Sequence, residues 1–369
     1  MKKLGFGQMR LPLLDAKDVT KIDYEETCRM VDSFLEQGFT YVDTAYMYHE
    51  YESERMVRRA LVERHPRESF VLADKLPTMM LKTKEDQERI FNEQLEKCGV
   101  EYFDYYLLHC LNKNNFATVE RLGSFAFGMQ KKKEGKIRKL GFSFHDNAAL
   151  LDEILTKHPE TEFVQIQLNY LDWESAKVQS RLCYEVCEKH NMPVIVMEPM
   201  KGGALAEVPV EAKIMMQEYS PNATVASWAV RFAASHKNVF MVLSGMSDMK
   251  QLLDNTSYMK EFVPINKEET EILMRAVDII NSSIEVSCTG CRYCVEGCPK
   301  NIPIPNYFAL YNGHKRLGQN SKAPEIYQSM NGYGKAGDCI SCKQCEGHCP
   351  QHLPIAEKMK AVSKVFDYE

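Results

Sequence analysis

Two cysteine runs share one spacing: Cys288-x-x-Cys291-x-x-Cys294-x-x-x-Cys298-Pro299 and Cys339-x-x-Cys342-x-x-Cys345-x-x-x-Cys349-Pro350. Three thiolates at three-residue intervals reach three irons of one 4Fe–4S cube. The fourth, set off by three residues and turned by the proline, ligates the other cube of a pair. The rule predicts Cys288, Cys291, Cys294 and Cys349 on one cluster, and Cys339, Cys342, Cys345 and Cys298 on the other. Zinc competes, since paired Cys-x-x-Cys units bind it tetrahedrally, but zinc sites join two doublets and a triple followed by Cys-Pro suits a cube. Disulfides are disfavoured, because Met1-Lys2-Lys3-Leu4-Gly5 passes into a globular pattern rather than an apolar signal segment. A chain with this equipment is expected to carry electrons.

The five remaining cysteines read as core. Cys183, Cys187 and His190 fall on one predicted helical face and offer a metal-binding alternative, but buried thiols are commoner. Cys28 and Cys98 lie in helical patterns. Cys110 is aimed away from its neighbour His109 by strand alternation. The segment between the two cysteine runs, with a helix predicted over 304–317, is long for a minimal two-cluster unit. A mainly helical ferredoxin-like domain held together by its clusters rather than by apolar burial is therefore expected.

Stepping upstream, short apolar runs alternate with amphipathic helices. Strands are predicted at 5–9, 39–42, 70–73, 103–108, 139–142, 163–168, 194–197 and 239–243. Helices are predicted at 24–37, 54–64, 84–97, 119–135, 148–157, 177–190 and 223–235. Eight β/α units over roughly 250 residues fit a (β/α)8 TIM barrel. A doubly wound open sheet is the alternative, disfavoured because no Gly-x-Gly-x-x-Gly follows an early strand. The predicted layout is a barrel over 1–263, a helical linker over 264–285 and a two-cluster domain over 286–369. In such a barrel chemistry belongs at the C-terminal strand ends. Asp43, Tyr48, Lys75 and His109 gather there from three successive strands.

These residues carry a resemblance. Val42-Asp43-Thr44-Ala45-Tyr46-Met47-Tyr48, then Lys75, then His109 resembles the aldo/keto reductase tetrad in order and spacing. It continues through Lys139-Leu140-Gly141-Phe142-Ser143, Val164-Gln165-Ile166-Gln167, Glu198-Pro199-Met200-Lys201-Gly202-Gly203 and Ser244-Gly245-Met246-Ser247 to Gln251 and Asn255, over about residues 1–260. The fusion to two Cys-Pro runs resembles the iron–sulfur aldo/keto reductases of anaerobic prokaryotes. The chemistry is coherent: a carbonyl accepting hydride becomes an alkoxide and needs a proton donor. Lys75, held by Asp43, is expected to favour the Tyr48 phenolate and lower its pKa, with His109 donating a hydrogen bond to the same oxygen.

The resemblance implies NAD(P)H across the strand ends. It places the carboxamide at Ser143 and Gln165, the phosphates near Gly202 and Gly203, and the nucleotide loop at Ser244, Met246, Ser247, Gln251 and Asn255. Several positions depart from the family pattern. Met197 stands where an aromatic residue normally stacks under the nicotinamide, followed by the charged Glu198, and Phe144 replaces an amide. Gly245 and Gln251 stand where other members place Lys and Arg for a 2′-phosphate. These changes also leave room for a flavin, which would link two-electron hydride chemistry to one-electron clusters.

The net charge of −5 argues against nucleic acid as a partner. No apolar run reaches membrane-spanning length, and a reducing cytoplasm is the expected compartment. Lys131, Lys132, Lys133, Lys136, Arg138 and Lys139 read as a solvated face, with docking of an acidic ferredoxin as the alternative. Lys201 is open between a rim salt bridge to Glu198 and a substrate anion. The leading reading is an oxidoreductase acting on a carbonyl/alcohol pair, its clusters exchanging electrons with a ferredoxin or another carrier. The alternatives are an ordinary NAD(P)H carbonyl reductase with structural or sensing clusters, and a non-enzymatic electron carrier.

Overall fold

The computed structural model describes residues 1–16, 18–317 and 321–367. Among them eight short strands lie parallel: β1 Leu4–Gly7, β2 Tyr41–Asp43, β3 Val71–Pro77, β4 Phe103–Leu111, β5 Ile137–Phe144, β6 Phe163–Gln167, β7 Val194–Met197 and β8 Val239–Ser244. Each pairs with the next and β8 pairs with β1, so the sheet closes into a barrel. The predicted (β/α)8 architecture is the observed one.

Strand alternation builds the barrel interior. Tyr41, Ala73, Leu107, Phe163, Ile195, Met241 and Leu243 form one buried cluster, with Tyr105 edge-on to both Tyr41 and Phe163. Burying one such side chain fully contributes about 1.5–3 kcal/mol, so the filled interior is a core and not a pore. Gly141 is needed opposite Phe163, because a Cβ there would lie 2.4 Å from the Phe163 carbonyl oxygen.

Three local expectations are corrected. The helix predicted over 119–135 is two helices, Phe116–Leu122 and Ser124–Lys133, because Gly123 adopts φ 68° between them. The helix expected over 54–64 is a short α-helix, Ser53–Val57, running into a π-helical turn, Arg58–Val62. The first strand stops at Gly7, where Gln8–Arg10 turn as a 3-10 helix.

The chain divides into two compact units. One comprises Met1–Ser175, Gln179–Pro199 and Ala226–Thr270; the other comprises Ala176–Val178, Met200–Val225 and Glu271–Glu369. The segment after β7 therefore groups with the cysteine-rich residues, which the predicted contiguous layout does not anticipate. In this second unit the helices Ile304–Leu317, Ala323–Ser329 and Ile355–Phe366 surround an apolar core of Tyr307, Phe308, Tyr327, Met359, Val362 and Phe366. Tyr327 stacks on Phe366 at 5.0 Å. The expectation that clusters alone would hold this domain is thus corrected: the long insertion and the last helix supply apolar faces that pack against each other. No helix among the described residues is long and apolar enough to cross a membrane.

Candidate active site and cluster sites

The same alternation that fills the barrel raises its chemistry. Asp43, Lys75 and His109 lie two residues beyond Tyr41, Ala73 and Leu107, so period two carries them onto the interior face at the C-terminal strand ends. Gln165 and Met197 stand in the same relation to Phe163 and Ile195. Tyr48 arrives from the loop after β2, buried like the other three.

Lys75 organises the group. Its Nζ donates to Asp43 Oδ1 at 2.5 Å, to the Thr44 carbonyl at 2.6 Å and to the Tyr48 hydroxyl at 3.3 Å. The Tyr48 and His109 rings meet edge to face, centroids 6.1 Å apart. Burial penalises the Lys75 ammonium, but the charges of Asp43 and Tyr48 outweigh that and hold its pKa above the ordinary value. Burial, with help from Lys75 and His145, pushes His109 well below the usual imidazole range, so it is neutral near pH 7.

Tyr48 corrects the sequence expectation. Its pKa stands above 10, because loss of water around the phenolate outweighs the pull of Lys75. Sequence reasoning counts the neighbouring charge but not the depth at which it works. Tyr48 thus keeps its proton at neutral pH, 3.3 Å from the Lys75 ammonium.

Residues that sequence analysis missed brace Lys75 from behind. Asp74 Oδ1 accepts the Lys75 N–H at 2.8 Å, and Gln94 Nε2 donates to the Lys75 carbonyl at 3.0 Å. Gln94 also donates to Glu54 and accepts from Tyr106. Period two around Lys75 offered a signal, since Asp74 must face the helices.

The nicotinamide positions differ in readiness. Gln165 donates to Met197 Sδ at 3.6 Å, while its buried Oε1 has no partner among the described residues. An orphaned acceptor of this kind fits a carboxamide NH2. Ser143 Oγ accepts from the Cys110 N–H at 2.7 Å. Cys110 itself has φ 62° at an irregularity in β4, so regular alternation does not describe it. In the loop after β8, Asn255 donates to Ser244 Oγ, the Ser247 N–H donates to Gln251, and Met246 is buried. Arg10, also missed, packs 3.1 Å from where a Gly245 Cβ would stand, and its carbonyl accepts from Ser247 Oγ. The β1–β8 pairing brings it there.

Lys133, Arg138 and Lys139 are exposed, as a solvated face requires; Lys131 is the exception, buried between Glu88 and Glu134, and Lys132 and Lys139 share Glu162. His190 pairs with Asp152, while Cys183 and Cys187 are buried.

In the second unit the eight cysteines ring two cavities. Cys288, Cys291, Cys294 and Cys349 line one; Cys298, Cys339, Cys342 and Cys345 line the other. These are the crossed sets that the spacing predicts. No three His, Cys, Asp or Glu side chains among the described residues converge on a single-ion site. Four thiols around each cavity fit a cube, which they would hold by one thiolate per iron. Burial raises the Cys294 thiol and pushes Cys345 up to about 11, so a metal bound there would have to drive their deprotonation.

Comparison with known proteins adds to this geometry. Residues 3–278 match the model of the aldo/keto reductase family, and residues 287–353 that of the 4Fe-4S dicluster domain. An aldo-keto reductase of Mycobacterium avium is 28% identical over 249 residues, covering 67% of this chain and 80% of that one. The 9,11-endoperoxide prostaglandin H2 reductase of Trypanosoma cruzi is 25% identical over 206 residues, 55% of this chain and 66% of its own. An aldo-keto reductase from Klebsiella pneumoniae in complex with NADPH shares the fold with a TM-score of 0.59 at 20% identity, covering 74% of this chain and 90% of that one.

Proposed function

Because the chain belongs to the aldo/keto reductase family and continues into a 4Fe-4S dicluster domain, we propose that its barrel interconverts a small carbonyl and an alcohol. In this reading NAD(P)H serves the barrel, and two 4Fe–4S clusters exchange electrons with a ferredoxin-like carrier. The observation that carries it is Lys75, one buried ammonium shared between Asp43 and Tyr48.

Bound nicotinamide supplies or accepts the hydride. In reduction, the Tyr48 O–H gives its proton to the carbonyl oxygen as negative charge grows there, and the O–H bonding pair stays on the phenolate. Lys75 then faces a full negative charge in a medium of low dielectric, where the attraction is much stronger than in water. His109, neutral and a ring N–H donor, holds the same oxygen. In oxidation each step reverses. Gln165 and Ser143 would orient the carboxamide, with Ser244, Ser247, Gln251 and Asn255 at the nucleotide end. Arg10, whose side-chain methylenes pack beside Gly245, would offer a cation to a 2′-phosphate there, in keeping with the NADPH bound by the Klebsiella pneumoniae aldo-keto reductase.

A second reading, with clusters as structure only, draws on Cys294 and Cys345 being part of the apolar core. Anaerobic addition of NADPH or NADH, followed by visible cluster absorbance, separates the two. Bleaching supports electron exchange within the chain; unbleached clusters that dithionite still reduces favour the structural reading or an external electron donor.

A further inference from the structure

The segment after β7 makes an approach that neither the tetrad nor the nucleotide reading uses. Lys201 is 4% exposed. Its backbone is held in the left-handed region, φ 48°, which a side-chain-bearing residue adopts only under constraint. Its Nζ donates to Gln351 Oε1 at 2.6 Å, and Gln351 is also 4% exposed. Gln351 lines the cavity ringed by Cys288, Cys291, Cys294 and Cys349. The next residue abuts the same wall: a Cβ on Gly202 would lie 2.3 Å from the carbonyl oxygen of Thr289, another lining residue. All these residues belong to the second unit.

We propose that Lys201, fixed by Gln351, is a positioned charge that raises the reduction potential of the cluster held by Cys288, Cys291, Cys294 and Cys349. The physical reason is the sign of the change. On reduction the cluster takes one electron and becomes one unit more negative, and a buried ammonium nearby stabilises that form more than the oxidised one. The other cavity is lined by Lys300 and Lys343, but both are exposed and water screens them. The tuning therefore acts on one cluster. It rests on the reading that these cysteines hold clusters, which iron and sulfide analysis of the unaltered protein tests by itself.

The experiment is an anaerobic redox titration with dithionite as electron donor, followed by electron paramagnetic resonance. It compares the unaltered chain with Lys201→Met, Lys201→Gln and Lys201→Arg, each with measured iron content. The two uncharged variants should move one reduction wave to a more negative potential, by at least tenfold in the reduced-to-oxidised ratio or 59 mV for one electron. The second wave should stay in place, and Lys201→Arg should titrate like the unaltered protein. Iron lost from the uncharged variants but kept by Lys201→Arg would also support a charge requirement. Unmoved waves, both waves moving alike, an equal shift in Lys201→Arg, or iron lost from all three variants would overturn it.

Discussion

Asp43 and Lys75 form an ion pair 2.5 Å long in which neither side chain is more than 3% exposed. Such a pair is costly to assemble and costlier to break, because removing one partner leaves an uncompensated buried charge. Asp43→Ala should destabilise the barrel by about 3–5 kcal/mol. Both tryptophans, Trp173 and Trp228, lie in the barrel unit, so their fluorescence during urea unfolding reads this loss directly. A change under about 1 kcal/mol would mean that the pair does not carry the charge assigned to it.

The raised pKa of Tyr48 sets the pH dependence of turnover. Its acid form is the reactive one in reduction and is fully present below its ordinary value of 10. Carbonyl reduction should therefore hold steady from neutrality to about pH 10 and fall only above it. Alcohol oxidation, which needs the phenolate, should climb across the same range. A reduction profile that falls near pH 7 would contradict the direction of the shift.

His236 provides an acid-sensitive element away from the site. It stacks on Trp173 at 4.5 Å, and burial with the nearby Lys3 lowers its pKa from 6.5 to about 4. A depressed base binds its proton more readily in the unfolded chain, so its contribution is complete above pH 6.5 and is lost as the pH falls toward 4. Replacing it, as in His236→Phe, should remove up to about 3 kcal/mol of the stability loss over that window. Equal acid sensitivity in the two proteins would argue against a neutral, buried imidazole.

Gly202 is the position where the segment after β7 comes nearest the cysteine-rich backbone, at φ 66°. Gly202→Ala asks the Thr289 carbonyl to move and places a Cβ in a left-handed residue. It should cost more than about 1 kcal/mol and lower the iron retained after purification. Full iron content at unchanged stability would show that the close approach is not required.

The barrel was legible because its signals are local. Period two along β2, β3 and β4 places Tyr41, Ala73 and Leu107 inside and carries Asp43, Lys75 and His109 above them. The crossed cysteine sets were legible for a similar reason, since the Cys-Pro offset is written in the chain and the two cavities collect the same residues. What sequence reasoning missed depends on depth or on distant packing. The direction of the Tyr48 shift follows from burial that no spacing reveals. Cys110 sits at an irregularity where alternation fails. Lys131 read as part of an open basic face, but Glu88 from a distant helix and Glu134 enclose it. Lys201 was left between two partners, and a third, Gln351, lies 150 residues away in the sequence.

The central claim is that Tyr48 is the proton donor of a carbonyl-reducing barrel. Its most direct test is anaerobic NADPH oxidation with a panel of small aldehydes and ketones, in the unaltered chain and in Tyr48→Phe, at matched cluster absorbance. The account predicts turnover by the unaltered protein and a loss of roughly 10²–10⁴-fold in Tyr48→Phe, with the clusters intact. Equal turnover in the two proteins would contradict it.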